Sequence, residues 1–225
     1  MKQVIVFDLD DTLYNEKTFV ISGFKAVADY LAKNFGFDAK NSLGFMTMEL
    51  DNGRGAIFNK LLENNGVNNN ALVKKCISIY RLHKPEIQLD TDAVHCLERL
   101  KMHPLYIITD GNKVVQNNKL VALGLYHKVK KCFITHRHGV KYAKPSPYCM
   151  LEICKLEKIN PENAVYIADN PIKDFIGIKP LGFKTIRILK GMYKNAEADI
   201  EHNAGYSVKS LDEINEQLLN KIFVA

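Results

Sequence analysis

The chain has 225 residues, 47% hydrophobic and 25% charged, with a formal net charge of +6 and no low-complexity tract. That is a globular composition with enough chain for a sizeable core and a second small domain. The pattern excludes a membrane span, and one lysine with a four-residue apolar run before Asp8 is not a signal peptide.

The first element is Val4-Ile5-Val6-Phe7, a continuous apolar run rich in β-branched residues. It reads as a strand buried on both faces, as in a parallel sheet. The run ends in Asp8-Leu9-Asp10-Asp11-Thr12, so the carboxylates fall at the strand's C-terminal end, where open α/β sheets bind ligands. Alternation points Asp8 and Asp10 the same way, about 6–7 Å apart along the backbone, and turns Asp11 elsewhere. Two like charges this close need a cation or a shared proton. Asp11 and Thr12 are also good turn and cap residues, so a purely structural capping cluster is the competing reading.

From Phe19 to Phe35 apolar residues recur every three or four positions, and Gly36 stops the pattern. This is an amphipathic helix. Shorter helices are expected over 42–50, from Ile57 through Leu62, and from Leu72 through Tyr80, with a turn at Asn52-Gly53-Arg54-Gly55. Residues 15–87 thus read as an all-helical cap inserted into a core of residues 1–14 and 88–225, a lid over the strand ends.

Beyond Pro85 a β/α rhythm returns. A helix stripe over 93–100 precedes the strand Leu105-Tyr106-Ile107-Ile108, which ends in Thr109-Asp110-Gly111. A helix over 113–123, a weaker strand at 132–135 and an irregular loop holding Lys144-Pro145 follow. A helix over 147–157 leads to the strand Ala164-Val165-Tyr166-Ile167-Ala168, which ends in Asp169-Asn170-Pro171. A short helix is expected over 172–179, a fifth strand over 183–189, and a C-terminal helix from Ser210 with a Ser210/Glu213 capping box. Strands alternating with helices imply a doubly wound parallel sheet.

Three strand ends therefore carry chemistry: Asp8 with Asp10, Thr109, and Asp169. In a parallel sheet these lie at one edge. With Lys144 from the loop they form an inventory for phosphoryl transfer. Asp8 is the candidate nucleophile and Asp10 the general acid, then base. Thr109 and neighbouring backbone N–H groups hold phosphate oxygens, and Lys144 supplies positive charge. Asp8 and Asp169 hold Mg²⁺. Asp174, one turn into the following helix, orients Lys144 or reaches a metal-bound water, or is simply a favourable charge at a helix start.

The motifs Asp8-Leu9-Asp10-Asp11-Thr12, Thr109-Asp110-Gly111, Lys144-Pro145 and Asp169-Asn170-Pro171-Ile172-Lys173-Asp174 occur in the order of the haloacid dehalogenase-like hydrolase superfamily, which the chain resembles along essentially its whole length. The helical insertion resembles the cap of subfamily I. The resemblance implies a modified Rossmann core of strand order 5-4-1-2-3. It implies Mg²⁺-dependent phosphomonoester hydrolysis, with the Asp10 backbone carbonyl as a further metal ligand, Asp110, Gly111 and Lys144 beside Thr109 at the phosphate, and Asn170 in support. Two departures stand out. Ala168 replaces a common glycine, and Asp110 replaces a common asparagine, bringing a carboxylate that must turn away from the phosphate. The founding dehalogenases lack the second aspartate of the first motif, so Asp10 argues for phosphate over halide.

The expected substrate is a small phosphorylated metabolite, a nucleotide monophosphate or a sugar phosphate. Arg54 and Glu16 are the candidates for substrate selection, each weighed against an ordinary surface role. A phosphomutase of the same fold and a non-catalytic binding protein on this scaffold are the rival functions; the intact motif residues argue against the second. Gly111 to Leu151 holds no acidic residue and eight basic ones, among them Lys119, and most of these read as a solvated basic face. The span lacks aromatic interleaving and any helix-turn-helix or zinc-finger pattern, which argues against nucleic acid. His136-Arg137-His138 reads as surface. The five cysteines form no C-x-x-C and read as reduced residues of a cytoplasmic protein. The sequence does not fix the oligomeric state.

Overall fold

The computed structural model describes residues 2–224. The chain divides into two compact units, one of Met1–Glu16 with Gln88–Ala225 and one of Lys17–Ile87.

The first unit is built on six strands: β1 (Val4–Phe7), β2 (Leu105–Thr109), β3 (Lys131–Ile134), β4 (Ala164–Ala168), β5 (Lys184–Ile188) and β6 (Tyr206–Val208). They lie in the order β3-β2-β1-β4-β5-β6, and every neighbouring pair is parallel. The first five keep the order expected from the family resemblance. β6 extends the sheet beyond β5; three residues with a serine in the middle give no apolar run to read.

β1, β2 and β4 are buried along their whole length. Each buried Val, Leu or Ile contributes about 1.5–3 kcal/mol, so the centre of the sheet is its most firmly held part. Val4, Val6, Tyr106, Ile108 and Tyr166 pack with Met150 and Ile153 of α7 (Tyr148–Glu157), and Ile5 and Phe7 alternate to the opposite face. At the end of α7 the Glu157 carboxylate is buried. It accepts a hydrogen bond from the Tyr106 hydroxyl and pairs with Lys2 and, at 2.7 Å, with Lys130. Despite its burial, these partners hold it down to about 2. The other helices of this unit are α5 (Thr91–Arg99), α6 (Lys113–Ala122) and α8 (Glu216–Val224).

Two expected helices are corrected. Residues 172–179 form successive turns rather than a helix. The Asp174 side chain accepts the Asn170 N–H and the Asn170 side chain accepts the Ile172 N–H. The first turn is thereby wound around these two side chains; one i→i−4 backbone bond closes it, from the Asp174 N–H to the Asn170 carbonyl at 3.1 Å, and it is not extended into a helix. Asp174 is thus not a helix-start charge. The Ser210/Glu213 capping box does form, but it closes a single 3₁₀ turn (Leu211–Glu213), and α8 starts at Glu216.

The second unit contains α1 (Glu16–Phe35, whose first residue belongs to the sheet unit), α2 (Ala39–Asp51), α3 (Ile57–Asn64) and α4 (Asn70–Leu82). Val20, Phe24, Val27, Leu31, Met46 and Leu61 are among the residues of its core. Asp38 and Asn69 cap α2 and α4 by accepting backbone N–H groups from their first turns.

Candidate active site

The strands deliver their terminal residues to one edge. Asp8 follows β1 and donates its N–H to the Ile167 carbonyl at 2.8 Å, which fixes it between β1 and β4. Asp169 follows β4, and Thr109 closes β2. All three are buried.

Lys144 meets this group from the loop before α7. Its ammonium lies 2.5 Å from Asp8 Oδ1 and 2.8 Å from Asp174 Oδ1, and its side chain is 6% exposed. Burial alone would lower the lysine's pKa, but the charges of Asp174 and Asp8 hold it well above the ordinary value. The loop is pressed against the turn that carries Asp174. A Cβ on Gly177 would fall 1.7 Å from the Pro145 carbonyl oxygen, so only glycine permits this approach.

Carboxylate oxygens of Asp8, Asp169 and Asp174 lie within 4.8 Å of one another. One buried ammonium does not balance them. Burial, and then the charge of Asp174 against the pull of Lys144, pushes Asp8 up to about 7. Burial and the charges of Asp8 and Asp174 push Asp169 up to about 9. Such a donor set, all oxygen and short of positive charge, fits a hard divalent cation. Asp174 is the least available member, since Lys144 takes Oδ1 and the Asn170 N–H takes Oδ2.

This imbalance has a measurable sign. Both carboxyls have folded pKa values above the ordinary 3.8, so without metal the folded state retains protons that the unfolded chain has lost. Their contribution is fully present below about pH 4 and is lost as pH rises through about 7 and then about 9. A divalent cation held by these carboxylates would compete with those protons. The rise in melting temperature on replacing EDTA with Mg²⁺ is therefore expected to grow from pH 5 to pH 9 and to vanish in Asp169→Asn. A pH-independent rise would place the ion elsewhere.

Thr109 Oγ1 is buried with no hydrogen-bond partner, which fits a hydroxyl reserved for a ligand. Gly111 has φ +128, and a Cβ there would stand 3.2 Å from Gln116 Nε2. The Asp110 carboxylate does turn aside. It accepts hydrogen bonds from the Thr135 hydroxyl and the Lys144 backbone N–H, and Lys173 lies 3.5 Å away. It thereby ties the Thr109 strand end to the Lys144 loop.

Asp10 has partners that the sequence did not announce. Its Oδ1 accepts from Lys119 Nζ (2.7 Å) and the Tyr14 hydroxyl (2.5 Å), and its Oδ2 accepts from Gln116 Nε2 (2.9 Å). Burial pushes its pKa up, but the Lys119 charge and these hydrogen bonds win, leaving it below the ordinary value. Lys119 is a correction: it does not belong to a solvated face, because its side chain is 3% exposed. The signal was present. Gln116, Lys119, Leu120 and Leu123 follow the i, i+3, i+4, i+7 stripe of the buried face of α6. The rest of the basic span is partly engaged as well: Lys130 pairs with Glu157, Arg137 donates to Asn117, and Lys131 and Lys141 lie over the rings of Phe133 and Tyr142.

Asp11 adopts φ 52 and takes the structural role. Its carboxylate accepts the N–H groups of Glu16 (2.8 Å) and Met192 (3.2 Å). The Glu16 carboxylate lies 3.4 Å from Lys119 Nζ. Arg54 sits in the exposed turn between α2 and α3 of the helical unit. His138 stacks on Phe133, and among the described residues His136 and His138 join no grouping of metal-competent side chains.

Comparison with known proteins identifies the family. The family model described as haloacid dehalogenase-like hydrolase matches residues 5–188. A glyceraldehyde 3-phosphate phosphatase of Methanocaldococcus jannaschii is 29% identical, covering 93% of this chain and 94% of that protein. A protein of the same name from Pyrococcus furiosus is 27% identical, covering 96% and 92%. A crystal structure of 2-haloacid dehalogenase from Pseudomonas syringae shares the fold, with a TM-score of 0.65 at 20% identity over 100% of this chain and 99% of that one. With three motifs at strand ends, a fourth in the loop before α7, and a family match over most of its length, the chain belongs to the haloacid dehalogenase-like hydrolases.

Proposed function

We propose that this phosphatase hydrolyses a small phosphorylated metabolite through an aspartyl-phosphate formed on Asp8, with Mg²⁺ as cofactor. The observation that carries this reading is the buried Asp8 carboxylate at the end of β1, met by the Lys144 ammonium at 2.5 Å with Thr109 Oγ1 unpartnered nearby in the fold. A nucleophile, its cation and a hydroxyl donor are thus brought together from β1, the loop before α7 and β2.

In the first step an Asp8 oxygen attacks phosphorus and the bond to the alkoxide breaks. The alkoxide takes a proton from Asp10. The ionised Asp10 of the resting site receives that proton from the substrate, a phosphomonoester whose second ionisation lies near pH 6. In the second step Asp10 accepts a proton from water, whose oxygen attacks phosphorus. Inorganic phosphate leaves and Asp8 is regenerated. Lys144, Thr109 and the backbone N–H groups of Asp110 and Gly111 hold the phosphoryl oxygens. Asp8, the Asp10 carbonyl and Asp169 would hold Mg²⁺, with Asp174 and Asn170 fixing the surrounding turn; when bound, the ion neutralises charge on the phosphoryl group and keeps Asp8 ionised.

Between the two substrate classes expected from the sequence, the names of the full-length relatives favour a short sugar phosphate over a nucleotide. The test is phosphate release from glyceraldehyde 3-phosphate, phosphoserine, hexose phosphates and nucleoside monophosphates, each with Mg²⁺ and with EDTA. Release is expected only with Mg²⁺ and fastest from the three-carbon phosphate. A nucleotide at the head of the ranking would overturn the substrate class, and no release at all would overturn the reaction.

A further inference from the structure

The four charged or polar side chains around Asp10 carry an inference that rests on the proposed hydrolysis and deepens it. A carboxylate offers about four acceptor positions, two on each oxygen. On Asp10, Oδ1 is filled twice, by Lys119 Nζ at 2.7 Å and by the Tyr14 hydroxyl at 2.5 Å. Oδ2 has one donor, Gln116 Nε2 at 2.9 Å. That amide group also donates to the Asp110 carbonyl at 2.5 Å. Two acceptors fix its orientation, because the reverse amide would set oxygen against oxygen. Gln116 Oε1 is left buried and unpartnered, a cost accepted while both donor contacts are kept. Lys119, almost wholly buried, is in turn held by Glu16 at 3.4 Å.

We propose that Lys119 and Gln116 are positioning residues that lock the Asp10 carboxylate with Oδ2 as its proton-transferring oxygen. Neither residue touches the substrate. Their effect reaches the reaction only where Asp10 moves a proton, at departure of the alkoxide and at attack of water. Cleavage of an ester whose leaving group needs no proton does not depend on them.

That asymmetry supplies the test. The probes are glyceraldehyde 3-phosphate, whose alkoxide must be protonated, and 2,4-dinitrophenyl phosphate, whose phenolate leaves unaided. Rapid mixing reads dinitrophenolate release before steady state. For Lys119→Met, turnover of the alkyl ester is expected to fall about 100-fold, while the first-turnover release of dinitrophenolate stays within about threefold of wild type. Slow hydrolysis of the intermediate then appears as a burst of one equivalent. Gln116→Met changes no charge and is the second variant, with the same selective loss if Lys119→Met fails to fold. Lys119→Arg is expected to restore part of the alkyl rate. Equal loss on both esters, or no loss on either, in a folded variant overturns the positioning role. A wild-type protein that releases no phosphate from either ester instead counts against the hydrolysis itself.

Discussion

Asp8→Asn is expected to lower phosphate release at least 10⁴-fold, below the limit of a standard assay, while the protein stays folded. Asparagine has the shape of aspartate but no anionic oxygen to attack phosphorus. The substitution does not strand the facing cation, because Lys144 keeps Asp174 at 2.8 Å. It also removes one of the three clustered carboxylates. Burial pushes Asp8 up to about 7, so at pH 8 and in EDTA its ionised form opposes folding. The variant is therefore expected to melt at or above the wild-type temperature at pH 8, and level with it near pH 4, where both proteins are neutral at this position. Phosphate release and calorimetry together check the claim. Fluorine NMR adds a direct readout, since a beryllofluoride adduct should form on the wild type and not on the variant. Activity above a few per cent of wild type would remove Asp8 as nucleophile.

That the site could be read from sequence at all follows from how a parallel sheet works. Val4–Phe7, Leu105–Ile108 and Ala164–Ala168 are continuous apolar runs because both faces are covered, and a polar residue directly after such a run has to lie at the sheet edge. Asp8, Thr109 and Asp169 were legible for that reason. Lys144 was placed by motif order, not by any periodicity. What stayed hidden is what depends on side-chain reach. Lys119 is one basic residue among eight in an acid-free span; its place on the apolar stripe of α6 marks it as buried, but the stripe does not name Asp10 as the partner its ammonium finds. Tyr14 follows the first motif closely enough to look like a linker residue, yet its hydroxyl closes on Asp10 four residues back.

Local rules failed where tertiary contacts took over. Residues 172–179 have the length and the proline stop of a helix, but buried Asp174 and the approach of Gly177 to Pro145 hold them in turns. The Ser210/Glu213 pair satisfied the capping-box rule and still closed only three residues. A capping box specifies how a first turn starts, and the Ile214-Asn215 step decides that this one does not continue; Asn215 then caps α8 by accepting the Leu218 N–H. The substitution of Asp110 for the more usual asparagine shows the converse. A carboxylate beside a phosphate site is unfavourable in isolation, yet here Thr135, the Lys144 N–H and Lys173 make it the strut between two segments of the candidate site.

Lys144→Met is expected to cost about 10³-fold in kcat/KM, because an ammonium aimed at developing phosphoryl charge in a buried site cannot be replaced by solvent. Unlike Asp8→Asn it is also expected to destabilise the fold. It leaves Asp8 and Asp174 buried without their shared cation, and breaking a buried pair from one side costs about 3–5 kcal/mol. The two effects are separable by a double-mutant cycle. Adding Asp8→Asn to Lys144→Met removes one stranded carboxylate, so the double variant is expected to be more stable than Lys144→Met alone, by denaturant unfolding in EDTA at pH 8. Its activity should be no lower than that of Asp8→Asn, since a site without its nucleophile has nothing left for the lysine to assist. Lys144→Arg tests geometry against charge. The planar guanidinium keeps the positive charge, but a site in which both the Asp8 and Asp174 oxygens lie within 3 Å of one nitrogen is shaped for a point donor. Stability should return with arginine while most of the catalytic loss remains. If arginine restores both, the lysine acts as charge alone; if methionine leaves the rate unchanged, Lys144 is not in the catalytic set.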